Sequence, residues 1–139
     1  MILLHTNVLS AVMRPVPEQR VLSWLDRQPR ISVWTTSVTI LEIDYGLRIM
    51  PAGRKRTHLL TAFERMVSDV LENRVRSFDT AAATRAAELL AARRKAGKPV
   101  ELRDTMIAGI ALASHATLAT RNTRHFADLA VPVVDPWQD

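Results

Sequence analysis

The sequence predicts an α/β domain in which a small, mainly parallel sheet lies between helices on both of its faces. Three observations predict it. Short apolar runs of strand length alternate with longer stretches of helical periodicity from one end to the other. The chain has 139 residues, enough for one domain with its own core, and no repeat or Gly/Ser linker divides it, so residues 1–139 read as a single domain. Breakers such as Pro51-Ala52-Gly53 and Gly97 with Pro99 fall between the periodic segments.

The elements follow in order. Leu3–Leu4 is the first strand, and a short helix over about Asn7–Met13 is stopped by Arg14-Pro15. Pro17–Gln28 forms a second helix, with Val21, Leu22 and Leu25 on one face and Trp24 beside them. Ser32–Thr36, β-branched and aromatic, is a strand. Ser37 is a natural N-cap for a helix to about Met50. Arg54–Val70 reads as one amphipathic helix with Leu59, Leu60, Phe63, Met66, Val67 and Val70 inward. Val75–Phe78 is a strand, and Asp79 or Thr80 caps an Ala-rich helix to about Ala96. Asp104–Ser114 is the last helix, and Thr117–Thr120 and Val131–Val134 are the last strands.

Composition excludes several classes. There is no Cys, which removes disulfides and thiolate metal sites. No apolar run nears the roughly 20 residues of a membrane helix. The N-terminus has neither a basic n-region nor a long apolar h-region, so a cytoplasmic protein without membrane contact is expected. The net charge of +5 suits a polyanionic partner, nucleic acid or an acidic protein, and suits a merely solvated basic face equally well.

Parallel α/β sheets bind ligands at the carboxyl ends of their strands. Those ends offer His5, Thr6 and Asn7; Ser37, with Glu42 a turn into its helix; and Thr120, Arg121 and Asn122. Asp104 opens its own helix. Two carboxylates, an imidazole, a carboxamide and hydroxyls in one cleft can hold Mg²⁺ or Mn²⁺, which favour oxygen ligands. Plainer accounts exist for each. Thr39-x-x-Glu42 reads as a capping box. Asp104 suits a helix N-terminus by its charge alone, and Thr6 or Asn7 could simply cap the first helix. Asp44, His58 and His115 read as surface residues. The runs Arg54-Lys55-Arg56 and Arg93-Arg94-Lys95 with Lys98 read first as solvated faces and second as grips for RNA phosphates, while Arg121 and Arg124 lie nearer the cleft and suit RNA phosphates better.

The stretches MILLHTNVLS, TTSVTILEIDYGL, ELRDTMIAGIA, ATLATRNTRHF and VVDPW span almost the whole chain in order. Together they resemble the PIN-domain endoribonucleases of the VapC type, toxins of toxin–antitoxin operons, and most of all their FitB-like branch. The resemblance implies a PIN-like three-layer α/β/α fold and RNA cleavage with Mg²⁺ or Mn²⁺ held by acidic residues. The first family acid falls on His5, the second on Glu42, the third on Asp104, and an Asp-or-Asn position on Asn122. Glu42, Asp104, Asn122 and His5 are therefore the candidate catalytic residues, with Asp104, Glu42 and His5 as metal ligands. Thr6, Asn7 and Thr120 match residues lining the site, with Ser37, Arg121 and Arg124 as supporting or RNA-contacting groups. An Asp that relatives often carry just before the Phe of the TRNTRHF stretch is His125 here, a second lost carboxylate beside His5.

His5 is the sharp departure. Neutral imidazole supplies a hard cation neither charge nor oxygen, so His5 reduces or abolishes nuclease activity. Alternatively it is a ligand in a site adapted to Mn²⁺ or another transition metal, or a structural residue bonded to Asp104 or Glu42. The resemblance further implies a VapB-like antitoxin that lays a C-terminal segment over the toxin, an RNA substrate with tRNA as one candidate, and a homodimer or higher assembly. Apolar stripes at Trp24, Trp34 and Leu47–Met50 could serve dimerisation or belong to the core. The competing class is a PIN-fold binding module that no longer cuts. A metal-dependent phosphatase would need an Asp where His5 stands.

Overall fold

Five short strands pair in parallel into one sheet, in the order β3-β2-β1-β4-β5, and the computed structural model describes all of residues 1–139. The strands are β1 (Ile2–Leu4), β2 (Val33–Thr36), β3 (Val75–Arg76), β4 (Thr117–Ala119) and β5 (Val133–Val134). Leu3 sits opposite Trp34 on one side and Leu118 on the other. Six helices cover the faces: α1 (Thr6–Met13), α2 (Gln19–Asp26), α3 (Ser37–Ile49), α4 (Arg54–Arg65), α5 (Thr80–Lys95) and α6 (Leu102–Ser114). This is the expected three-layer α/β/α arrangement.

Side chains alternate across a strand, so neighbouring leucines of β1 serve opposite layers. Leu4 joins Val8, Trp24, Leu47 and Phe63 in the core under α1–α4. Leu3 joins Ile107, Ile110, Leu118 and Phe126 on the α5–α6 side. Trp24 and Leu47, considered above for a dimer surface, are thereby core residues. Gly109 lets α5 and α6 approach closely. A Cβ there would lie 2.5 Å from the Ala82 carbonyl oxygen and 2.9 Å from the Ala86 Cβ.

Several boundaries differ from the sequence expectation. Pro17 and Glu18 precede α2 in extended backbone, because Glu18 is its N-cap. Arg30–Ser32 forms a 3₁₀ turn ahead of β2. The cap of α3 is Thr36, whose Oγ1 accepts the Thr39 N–H at 3.1 Å; Ser37 is already helical. That also removes the capping-box account of Thr39 and Glu42, since Thr39 lies inside the helix. The helix from Arg54 stops being α-helical at Arg65. Met66–Val70 continues as a π turn closed by Leu71 N–H to the Met66 carbonyl, and Leu60, expected inward, is exposed. Both α5 and α6 end in paired 6→1 and 5→2 backbone bonds. Their left-handed residues are Gly97 (φ +69°) and His115 (φ +49°).

Candidate active site at the switch point of the sheet

The chain order runs outward from β1 through β2 to β3, then crosses back to β4 on the other side of β1. The switch point of the sheet is therefore the crevice at the carboxyl ends of β1 and β4. Leu4 delivers His5 to that crevice, and Ala119 delivers Thr120. The His5 N–H donates to the Ala119 carbonyl at 3.0 Å, which fixes the two strand ends together. α1 starts at once with Thr6 and Asn7, α3 brings in Glu42, and the first turn of α6 brings in Asp104. His5, Thr6, Asn7, Glu42, Asp104, Arg121 and Asn122 all line one open cleft of about 470 Å³. The crossover topology thus gathers residues that lie over 100 positions apart.

His5 is buried at 4 % exposure and holds the centre. Its Nε2 lies 2.9 Å from Asp104 Oδ1 and its Nδ1 lies 2.9 Å from Thr120 Oγ1. Phe126, fully buried, meets the ring edge-on at 5.4 Å between centroids. Hydrogen-bond counting assigns the tautomer. Thr120 Oγ1 already accepts from Asn7 Nδ2 at 3.3 Å and from the Asn122 N–H at 3.1 Å. Its two lone pairs are used, so its own O–H donates to His5 Nδ1. The proton of neutral His5 then sits on Nε2 and is donated to Asp104.

Asp104 receives the second histidine as well, His125 Nδ1 at 3.5 Å from Oδ2. Burial pushes the Asp104 carboxyl up, but hydrogen bonding and charge from His5, then from His125, outweigh it and hold the group below the ordinary carboxylate value. Glu42 is tied differently. Its Oε1 accepts the Thr6 hydroxyl at 2.7 Å, and its Oε2 faces Arg103 at 3.7 Å.

This donor set does not fit the Mg²⁺ or Mn²⁺ ion expected from the sequence. No group of three or more His, Asp or Glu side chains stands close enough together to hold a metal ion. The only free ring lone pair of neutral His5, on Nδ1, faces inward and is taken by Thr120. Its Nε2–H occupies the Asp104 oxygen that a cation would need. Of the three readings of His5, the geometry matches the one that bonds it to Asp104.

Of the remaining candidates, Ser37 is not in the cleft, because its Oγ accepts the Phe78 N–H at 3.0 Å and ties α3 to the segment after β3. Arg121 is in the cleft rim, with its guanidinium 5.0 Å from the centre of the Trp137 ring and its N–H donating to Asn7 Oδ1. Arg124 points into a second cavity on the other side of Asp104. Sequence reasoning missed Arg93, which is 6 % exposed rather than solvated. Its guanidinium forks onto both Asp128 oxygens at 3.0 Å and also reaches Thr105 Oγ1 and the His125 carbonyl. The signal was present: Ala82, Ala86, Leu89 and Arg93 fall on one helical face, and the first three pack inward.

The PIN domain family model matches residues 2–132. The chain is 40 % identical over 99 % of both chains to plasmid stability protein StbB of Pseudomonas syringae pv. tomato. It is 35 % identical, also over 99 % of both, to VapC ribonuclease Y4jK of Sinorhizobium fredii. It is 33 % identical over the full length of both chains to toxin FitB of Neisseria gonorrhoeae. The FitAcB crystal structure from Neisseria gonorrhoeae superposes over all of both chains with a TM-score of 0.89 at 32 % identity. The strand order, the carboxylates gathered at the switch point and these full-length likenesses agree: the chain belongs to the PIN-domain family, alongside the VapC and FitB toxins.

Proposed function

We propose that this protein is the toxin component of a type II toxin–antitoxin module, built on an endoribonuclease scaffold whose RNA-hydrolysing activity is impaired in this chain by His5. The observation that carries the reading is the 2.9 Å bond from His5 Nε2 to Asp104 Oδ1 inside an otherwise assembled cleft. Glu42, Asp104 and Asn122 line one cleft, which supports reading them as the site residues that the resemblance implies. The ring that replaces the first family acid engages Asp104, so the Mg²⁺- or Mn²⁺-dependent chemistry of such nucleases has no ready ligand set here.

What the chain's own residues can do follows from the geometry. Thr6 and Arg103 orient Glu42, and Asn7 with the Asn122 N–H orients Thr120. Arg14 and Arg121 on the cleft rim suit phosphates of an RNA strand, with tRNA as one candidate substrate. The partners that go with this reading are a VapB-like antitoxin and a second copy of the chain, in the cytoplasm; no helix is long and apolar enough to cross a membrane.

The closure of Asp104 by His5 also favours a second reading, a PIN-fold module that binds antitoxin or RNA without cutting. One experiment separates them: RNA cleavage by this chain and by His5→Asp, antitoxin-free, in Mg²⁺ and in Mn²⁺. Cleavage by His5→Asp alone supports the impaired nuclease. Equal cleavage by the unchanged chain refutes the assigned role of His5. Antitoxin or RNA binding with no cleavage by either supports the module.

A further inference from the structure

Beside the cleft lies a second cavity of about 370 Å³, between the loop that follows α5 and the turn that follows Asn122. Its volume falls within the roughly 300–1,000 Å³ of ligand pockets. We propose that it binds one nucleotide of single-stranded RNA, the neighbour of a nucleotide whose phosphate meets Arg14 and Arg121 in the cleft. The proposal rests on the RNA-directed reading above and names where that substrate is gripped.

Asp104 lines both the cleft and the cavity, so they are adjoining compartments with one shared wall. A strand passing Asp104 places one nucleotide in each. The cavity's charges are not equivalent. Arg93 is consumed by Asp128, and Glu101 faces Arg103 at 3.9 Å. The side chains of Lys98 and Arg124 form no hydrogen bond or ion pair within the chain, although the Lys98 charge also acts on Asp128, and they are the cations left to meet a phosphate. Pro99, Val100 and Ala127 provide an apolar wall. The exposed His125 ring stands at the rim, held toward Asp104. Bases of single-stranded RNA stack on histidine rings and arginine planes, and an acidic peptide has no such need.

The walls are set before any ligand arrives. Arg93 clamps Asp128 and the His125 carbonyl from below. The loop leaves α5 through the Gly97 turn, with Lys98 N–H bonded to the Arg93 carbonyl at 2.9 Å. A pocket fixed in this way loses little entropy when it binds.

The test uses the full chain and backbone amide chemical shifts in titrations with the four 5′-mononucleotides, inorganic phosphate and a short acidic peptide. The expected result is saturable shifts at the amides of residues 97, 98, 100 and 101 and of residues 124–128. Lys98→Glu and Ala127→Trp, both on exposed positions, weaken nucleotide binding at least about tenfold, or about 1.4 kcal/mol. Lys55→Glu, the same charge change on α4, leaves it unchanged. Equal weakening by Lys55→Glu, shifts confined to other surfaces, or tighter binding of the peptide at the same amides each overturn the proposal. If nucleotides bind here while neither this chain nor His5→Asp cuts RNA, the pocket stands and the nuclease reading falls. If RNA is cut but these amides do not respond, the pocket falls and the nuclease reading stands.

Discussion

Replacing His5 with Asp tests whether the ring blocks a metal site, and the structure sets the size of the effect. The substitution deletes the hydrogen bond to Thr120, worth about 0.5–1.5 kcal/mol, and the one to the ionised Asp104, worth about 1.5–3 kcal/mol. It also deletes the edge-on contact with Phe126, worth about 0.5–1.5 kcal/mol. A new carboxylate then faces Asp104, with nothing between the two charges. The three contacts sum to a loss of about 2.5–6 kcal/mol without metal, which lowers Tm by roughly 9–20 °C in a chain of this length. The same change creates a two-carboxylate oxygen site. A divalent ion at about a hundredfold excess over its Kd returns about 2.7 kcal/mol. Thermal unfolding of both proteins in EDTA and in Mn²⁺ is the assay. His5→Asp should be the less stable protein in EDTA and should recover most of the loss in Mn²⁺, while the unchanged chain should not respond. An equal Mn²⁺ response of the unchanged chain would refute the claim that His5 closes the site.

Other outcomes follow from single contacts. Asp104 and Asp128 are both held below the ordinary carboxylate value in the folded chain; Asp128 is held mainly by its hydrogen bonds to Arg93, against some burial. Groups depressed in this way stabilise the fold above their unfolded pKa and lose that contribution as pH falls through the folded one. Tm should therefore fall between about pH 4 and lower values, and Arg93→Met, which removes the partner of Asp128, should flatten part of that fall. Gly109→Ala gains about 1 kcal/mol of helix propensity but drives a Cβ into the Ala82 carbonyl; the net result should be a loss of about 1–3 kcal/mol in urea unfolding. His115→Gly relieves a left-handed residue that costs about 1–2 kcal/mol and offsets the added chain entropy, so Tm should rise by a few degrees.

The alternation of strands and helices was legible because each element keeps one hydrophobic period, and the apolar run before His5 marked both a strand end and a site. Boundaries were less legible where two local solutions compete. Thr36 and Ser37 are both good caps, and only the extended backbone at Thr36 decides between them. Arg65–Val70 keeps a helical pattern, but the tight turn through Glu72 and Asn73, both at positive φ, is entered through a π turn that no periodicity announces. The residues that line the cleft were legible one by one. Their wiring was not, since a hydrogen bond across 99 positions depends on the crossover and leaves no local trace. Arg93 was hidden because charge outweighed position: it belonged to a basic run, while its place on the Ala82–Ala86–Leu89 face pointed inward.

The arrangement around His5 separates what holds the cleft from what the cleft can do. In a site organised by a metal, removing the metal releases its ligands. Here Asp104 is held by two histidines, Glu42 by Thr6, and Thr120 by Asn7 and the Asn122 amide, all within the chain. A buried carboxylate without a partner is costly, and the His5 Nε2–H supplies that partner to Asp104. The ring therefore takes over the structural task of a cation without its chemical one. The cleft keeps its shape, the rim keeps its arginines, and the surfaces that would meet RNA or an antitoxin stay in place. On the proposed reading, a single side chain at the end of β1 would remove hydrolysis and leave recognition in place. That is why binding and cleavage have to be measured separately in this protein.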